Sequence, residues 1–147
     1  MKKTKLITFI ILFITLLSYG QDLKRDDLIG KWKVTNIKGE FPPMPHKQQK
    51  IMDSLRKAFK ESTFEFKSDN NFNFNIDFIE IGEMMKEVHW KYIPEKSIIL
   101  IQDWKDKETE KSGLMEILVT KQFEKIFFTL SESPFTLEVK KTSYNNG

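Results

Sequence analysis

Between residues 63 and 78 the chain alternates without an error. Thr63-Phe64-Glu65-Phe66-Lys67 and Phe72-Asn73-Phe74-Asn75-Ile76-Asp77-Phe78 put an apolar group at every second position, with Ser68-Asp69-Asn70-Asn71 between them. Successive side chains of a strand point to opposite faces, so this reads as a β-hairpin with one apolar and one wet face. A slip of one residue would bury Asn73, Asn75 and Asp77 together, which fixes the register. The same period recurs along the chain. Trp32 and Val34 oppose Lys33 and Thr35 in a strand over 30–37. Val88, Trp90 and Tyr92 oppose His89 and Lys91, which places His89 on the water face. Strands are also expected over 114–120, 126–130 and 135–139, the last through Phe135, Leu137 and Val139. Ile98-Ile99-Leu100-Ile101 is a strand whose two faces cannot be separated by pattern, because all four residues are apolar.

Punctuation between these runs is equally regular. Gly39 and Phe41-Pro42-Pro43-Met44-Pro45 end the first strand, since proline lacks the ladder donor and fixes its own φ. From His46 to Ser62 the period changes to that of a helix, with Ile51, Leu55, Ala58 and Phe59 on one stripe and lysines mostly away from it. Residues 80–87 around Gly82 read as a connection, and the charged stretch 103–113 as a long hairpin loop. Residues 21–27 form a charged lead-in, and 143–147 a frayed tail. The tally is eight strands at short spacing with one helix between the first and second. This predicts a mainly β protein, an eight-stranded antiparallel up-and-down barrel that pairs its last strand with its first. The alternative is an open, strongly curved sheet with the helix packed across its concave face.

The step Leu28-Ile29-Gly30-Lys31-Trp32-Lys33-Val34 resembles the Gly-x-Trp motif that opens the first strand of lipocalins and related calycins. Over about Leu28 to Lys141 the strand order is similar to that of the short lipocalin-like proteins exported by bacteria. The resemblance implies a barrel able to carry a small apolar ligand, with Gly30 and Trp32 as its structural motif. It also implies a closed end at which a basic side chain from a late strand packs over the tryptophan. No arginine stands in a late strand here, so Lys140 or Lys141 is the expected substitute, with weaker stacking. The inserted helix departs from the lipocalin pattern and is placed more as in fatty-acid-binding proteins.

Composition changes this picture at the N-terminus. Lys2, Lys3 and Lys5 precede an apolar run from Leu6 to Leu17, and Ser18-Tyr19-Gly20 supplies small residues before a cut ahead of Gln21. Residues 1–20 are therefore expected to be a secretory signal peptide and 21–147 the barrel domain, secreted or periplasmic. The apolar run falls short of the roughly 20 residues of a membrane span, so no stable membrane insertion is expected after cleavage. The three lysines account for the whole net charge of +3, so the mature chain has no basic surplus for nucleic acid. With no cysteine, the core must hold an exported fold without disulfides.

The chemistry on offer is sparse. His46 and His89 are the only histidines, no nucleophile motif is present, and the carboxylates of 103–110 alternate with lysines as on a solvated loop. Glu116 is expected to point outward from its strand. An enzyme, a metal site and a cofactor are not expected. Phe59, Phe66, Phe74, Phe78, Trp90, Tyr92 and Phe128 are the candidate ligand-binding residues. The size of these rings argues for core over a sizeable pocket, because eight strands enclose little volume and the side chains would occupy most of it. The helix reads as a plug or as a gate, and Met44, Met52, Met84 and Met85 as an adaptable rim or as gap fillers. Two functions follow: a carrier of a small apolar molecule, or a packed barrel that serves as a protein-interaction scaffold.

Overall fold

The computed structural model describes residues 23–110 and 113–142. The expected signal peptide and the expected frayed tail lie outside the described residues. Eight antiparallel strands close a barrel in chain order. They are β1 (Gly30–Lys38), β2 (Thr63–Phe66), β3 (Asn71–Asn75), β4 (Val88–Ile93), β5 (Ile98–Asp103), β6 (Met115–Gln122), β7 (Lys125–Leu130) and β8 (Thr136–Thr142). Among the described residues three α-helices accompany them: α1 (Arg25–Leu28), α2 (His46–Lys60) and α3 (Ile79–Met84). β8 pairs with β1 from Lys31↔Thr142 to Lys38↔Thr136, which removes both sheet edges and excludes the open sheet. The fold is consistent with a calycin-like barrel.

Alternation in β1 survives a defect. A bulge between Val34 and Asn36 adds one residue, so that Ile37 follows Trp32 and Val34 to the inside. The β2–β3 hairpin keeps the expected register, pairing Phe64 with Phe74 and Phe66 with Phe72. At its turn Asn70 takes a left-handed φ of 70° and the Asn71 amide donates to Asp69 Oδ1 at 3.0 Å. That bond, with one from the Asn71 side chain, holds the Asp69 carboxyl below the usual carboxylate range.

The interior is filled with rings. Phe128 lies 5.8 Å from Trp32, 5.4 Å edge-on from Phe64 and 5.9 Å from Phe66, which packs 5.2 Å from Trp90. Ile99, Ile101, Ile117, Leu137 and Val139 complete the lining. Burying each ring contributes about 1.5–3 kcal/mol, and each well-placed pair about 0.5–1.5 kcal/mol more. The apolar run that opens β5 is resolved by this packing: Ile99 and Ile101 face in, while Leu100 is buried on the other face.

Chain direction sorts the connections between the two barrel ends. The β2–β3, β4–β5 and β6–β7 hairpin turns share one end with α1, and the longer connections share the other. The first end is closed. Leu28 is buried, its carbonyl accepts from Trp32 Nε1 at 2.8 Å, and the Leu23 carbonyl accepts from the Tyr92 hydroxyl at 2.9 Å. Arg25 lies 4.7 Å over the Trp90 ring. Residues 23–28 thus form an ordered lid, because they supply acceptors to the ring donors of buried Trp32 and half-buried Tyr92.

Further expectations need correction. Strand β3 stops at Asn75, and Phe78 is the residue before α3, not a strand residue. The reason is its neighbour: β3 and β4 pair only at Asn71↔His89 and Phe72↔Val88, so residues 76–78 have no ladder to join. The backbone instead closes a helical turn, with the Gly82 amide donating to the Phe78 carbonyl. The connection 80–87 therefore carries α3. His89 is not on a wet face but buried, because a 3-10 turn at Trp104–Asp106 folds back over the wall and stacks Trp104 on it at 5.1 Å. The loop after β5 is likewise tied down, with Gln102 Nε2 donating to the Thr109 carbonyl at 3.3 Å. Finally, the stripe of α2 is covered only at its C-terminal end: Ala58 and Phe59 are buried while Ile51 is 49 % exposed.

Candidate functional site at the barrel mouth

The mouth is the end opposite α1, and the chain closes it incompletely. Helix α2 reaches it with its last turn. Arg56 donates to the carbonyls of Ile37 and Gly39, which ties the helix to the end of β1. This places the Phe59 ring 5.9 Å from Phe74 and 5.7 Å from Phe135, which Phe41 meets edge-on at 5.0 Å. That aromatic group covers one side of the opening.

Helix α3 covers the other side and is held far less firmly. Its six residues include none that is buried, and Ile79 is 79 % exposed. The following residue, Met85, is the anchor and is buried in the core. A six-residue helix without a buried face draws little stability from packing, so it belongs to the least stable part of the structure.

Between these two covers lies an apolar cleft of about 180 Å³. Phe59 lines it from α2, Ile81 and Met84 from α3, Met85 just after it, Leu114 and Met115 from the entry to β6, and Leu130 from the end of β7. Its polar edge is Glu116, whose carboxylate accepts from the Ser131 hydroxyl at 3.2 Å. On the other side of α3, where β3 and β4 part, a wider groove of about 790 Å³ runs past Phe74, Ile76, Ile79 and Met85. Met85 is common to both depressions.

The candidate ligand-binding residues divide accordingly. Phe66, Trp90 and Phe128 are buried deep in the barrel and pack on one another or on shared neighbours. Phe59 lines the mouth cleft and Phe74 the seam groove, with their rings in contact. Tyr92 is bonded to Leu23 at the closed end, and Phe78 is half-buried ahead of α3. Glu116 projects outward from β6, as its place in the alternation requires. Ile81, Leu114, Met115 and Leu130 were not among the candidates. Ile81 and Met85 stand four apart, a helical spacing inside the stretch read as a connection, and that was the available signal.

The polar groups that line this cleft are Glu116, Ser131, Glu132 and Ser133. Among the described residues no three of His, Cys, Asp and Glu are placed to hold a metal ion. Flexible thioethers, aliphatic groups and one aromatic ring, with a hydroxyl–carboxylate pair at the rim, suit a small apolar molecule with at most one polar group. Comparison of the chain with protein-family models, curated proteins and solved structures returns no significant match.

Proposed function

We propose that this is an exported lipocalin-like binder, not a catalyst, that takes one small apolar molecule in the mouth cleft between the end of α2 and α3. The observation that carries the reading is the cleft itself, an apolar space lined by methionines at the one barrel end without a fixed lid. Its volume of about 180 Å³ sets the ligand size. Drug-sized ligands occupy about 300–1,000 Å³, whereas an apolar cavity of about 150 Å³ accepts benzene. A single ring or the end of a short acyl chain therefore fits, and haem or a sterol does not. The signal-peptide pattern of residues 1–20 supports action outside the cytoplasm.

The test is a thermal-shift titration of the purified protein with toluene, indole, hexanol and decanoate. Binding to the folded state alone raises stability by RT ln(1 + [L]/Kd), about 2.7 kcal/mol at a hundredfold excess over Kd. At least one probe should give a saturable rise in Tm that Met84→Lys removes. A flat response to the whole panel overturns the reading.

The scaffold reading has one observation in its favour. Phe123, at the tip of the β6–β7 hairpin, is 97 % exposed and held at a φ of 56°. An aromatic ring kept in water on a backbone conformation that favours glycine suits a surface contact. It is favoured if the panel is silent while Phe123→Ser loses a crosslinked partner that the parent protein captures.

A further inference from the structure

On the outer wall of the barrel, away from the mouth, β4, the loop after β5 and the N-terminal segment enclose a second pocket of about 260 Å³. His89 lines it and is 3 % exposed, and its Nε2 has no hydrogen-bond partner among the described residues. A buried ring nitrogen left unpaired is costly, so it points to a partner supplied from elsewhere. Trp104 roofs the imidazole, with ring centres 5.1 Å apart and planes inclined by 34°. Arg25, Lys91 and Lys107 line the same space, and Glu108 is the one carboxylate that does. Neither Lys91 nor Lys107 forms an ion pair with a described residue.

The protonation state of His89 follows from its surroundings. Burial pushes its pKa below the ordinary imidazole value, and Lys91 and Lys107 push the same way, against Asp106 and a hydrogen bond to the Trp90 backbone. A neutral imidazole carries one lone-pair acceptor, and Nε2 is the ring nitrogen left without a partner to serve as it. The pocket thus offers an acceptor at its floor, an aromatic surface above it and three cations at its rim.

We propose that this wall pocket binds a small planar aromatic carboxylate carrying one donor on the ring, either a hydroxyl or an N–H. The ring lies against Trp104, the donor engages His89 Nε2, and the carboxylate meets Lys91, Lys107 and Arg25. Each part excludes a rival. A free phosphate has no aromatic face to lie against Trp104, and an apolar molecule leaves the cations desolvated without a counter-charge. One histidine beside one carboxylate does not make a metal site. The space suits one or two fused rings, since a cavity of about 150 Å³ already accepts benzene. Nε2 is shut from water beneath Trp104, so entry moves that half-exposed ring toward solvent. This site is independent of the mouth cleft and shares no residue with it.

The experiment is an NMR titration with salicylate and with indole-2-carboxylate, reading the His89 ring nitrogens and the Trp104 indole N–H. Saturable shifts at both residues are expected, weakening with added salt. Trp104→Ala and Lys107→Gln should each reduce affinity about tenfold, the size of one lost stacking or charge contact. Cyclohexanecarboxylate, which has charge but no aromatic ring, and indole, which has the ring but no charge, should bind more weakly. The inference is overturned by absent shifts at millimolar probe, by equal binding of cyclohexanecarboxylate, or by unchanged affinity in Trp104→Ala. Shifts confined to the Met84 and Met85 methyls also overturn it, because they place the probe at the mouth.

Discussion

The Lys141 ammonium lies 5.4 Å from the centre of the Trp32 ring, its register partner across the β1–β8 seam. The same ammonium donates to the Asp27 carbonyl at 3.1 Å, and Trp32 Nε1 donates to Leu28 in the same segment. To get there the lysine stem crosses Gly30, where a Cβ would sit 2.6 Å from Lys141 Cε. Gly30 also holds a φ of 133°, which side chains rarely adopt. The Gly-x-Trp step is therefore a joint. Its glycine lets the lysine pass, and its tryptophan fastens the lid of the closed end.

Gly30→Ala should lose about 1–3 kcal/mol, the cost of a residue held in a glycine-only region. Adding Lys141→Ala removes the crowding and leaves the φ, so recovery should be partial. Lys141→Met alone should cost no more than about 1 kcal/mol, as expected for an exposed cation over a ring. Urea midpoints of the three variants decide this, and full recovery in the double variant would show that crowding alone is at issue.

Depth should separate two phenylalanines of one hairpin. Phe66 is wholly buried against Trp90 and Phe128, whereas Phe74 is half-buried and opens onto the seam groove. Phe66→Asp places an unpaired charge in the core and should leave the protein insoluble. Phe74→Asp reaches water through the groove and should fold, with stability lowered through its lost contacts to Phe64 at 4.5 Å and Phe59. Soluble yield and far-ultraviolet circular dichroism report the contrast, and two insoluble variants would contradict it.

His89 should make stability fall on mild acidification. Its folded pKa is depressed by burial, while the unfolded chain protonates near 6.5. Above that value neither state binds the proton, and the full stability is present. Below it the unfolded chain takes up a proton that the folded state refuses. Stability then drops by up to about 1.4 kcal/mol per pH unit, until the folded pKa is reached. His89→Phe removes the titration and keeps a ring beneath Trp104. Urea midpoints at about pH 7 and pH 5 should therefore lie closer together in His89→Phe than in the parent, and equal differences would refute the assignment.

Phe123 should be replaceable at a gain. Its left-handed φ costs about 1–2 kcal/mol for an ordinary residue, and asparagine tolerates that region. Phe123→Asn should raise Tm, because the exposed ring loses no packing in exchange. An unchanged or lowered Tm would mean that the ring contributes contacts in the folded state.

The strands, their order, the closed barrel and the helix between β1 and β2 were legible in the sequence, because period-2 alternation and proline punctuation are local properties. The lipocalin resemblance implied a late-strand lysine over Trp32, either Lys140 or Lys141, and the structure places Lys141 there. Other features depend on contacts between residues far apart in the chain, which local pattern does not encode. Pattern put His89 on the outer face correctly but not its burial, since the cover is Trp104, fifteen positions on. The stripe of α2 predicted an apolar face, but only the barrel rim decided that Phe59 would be covered and Ile51 left in water. Residue Phe78 continued an unbroken alternation and left the sheet because β4 diverges from β3 and offers no ladder. The seam groove arises there as well. Sequence determined which faces are apolar; tertiary structure decided which of them find a partner, and where a space remains between them.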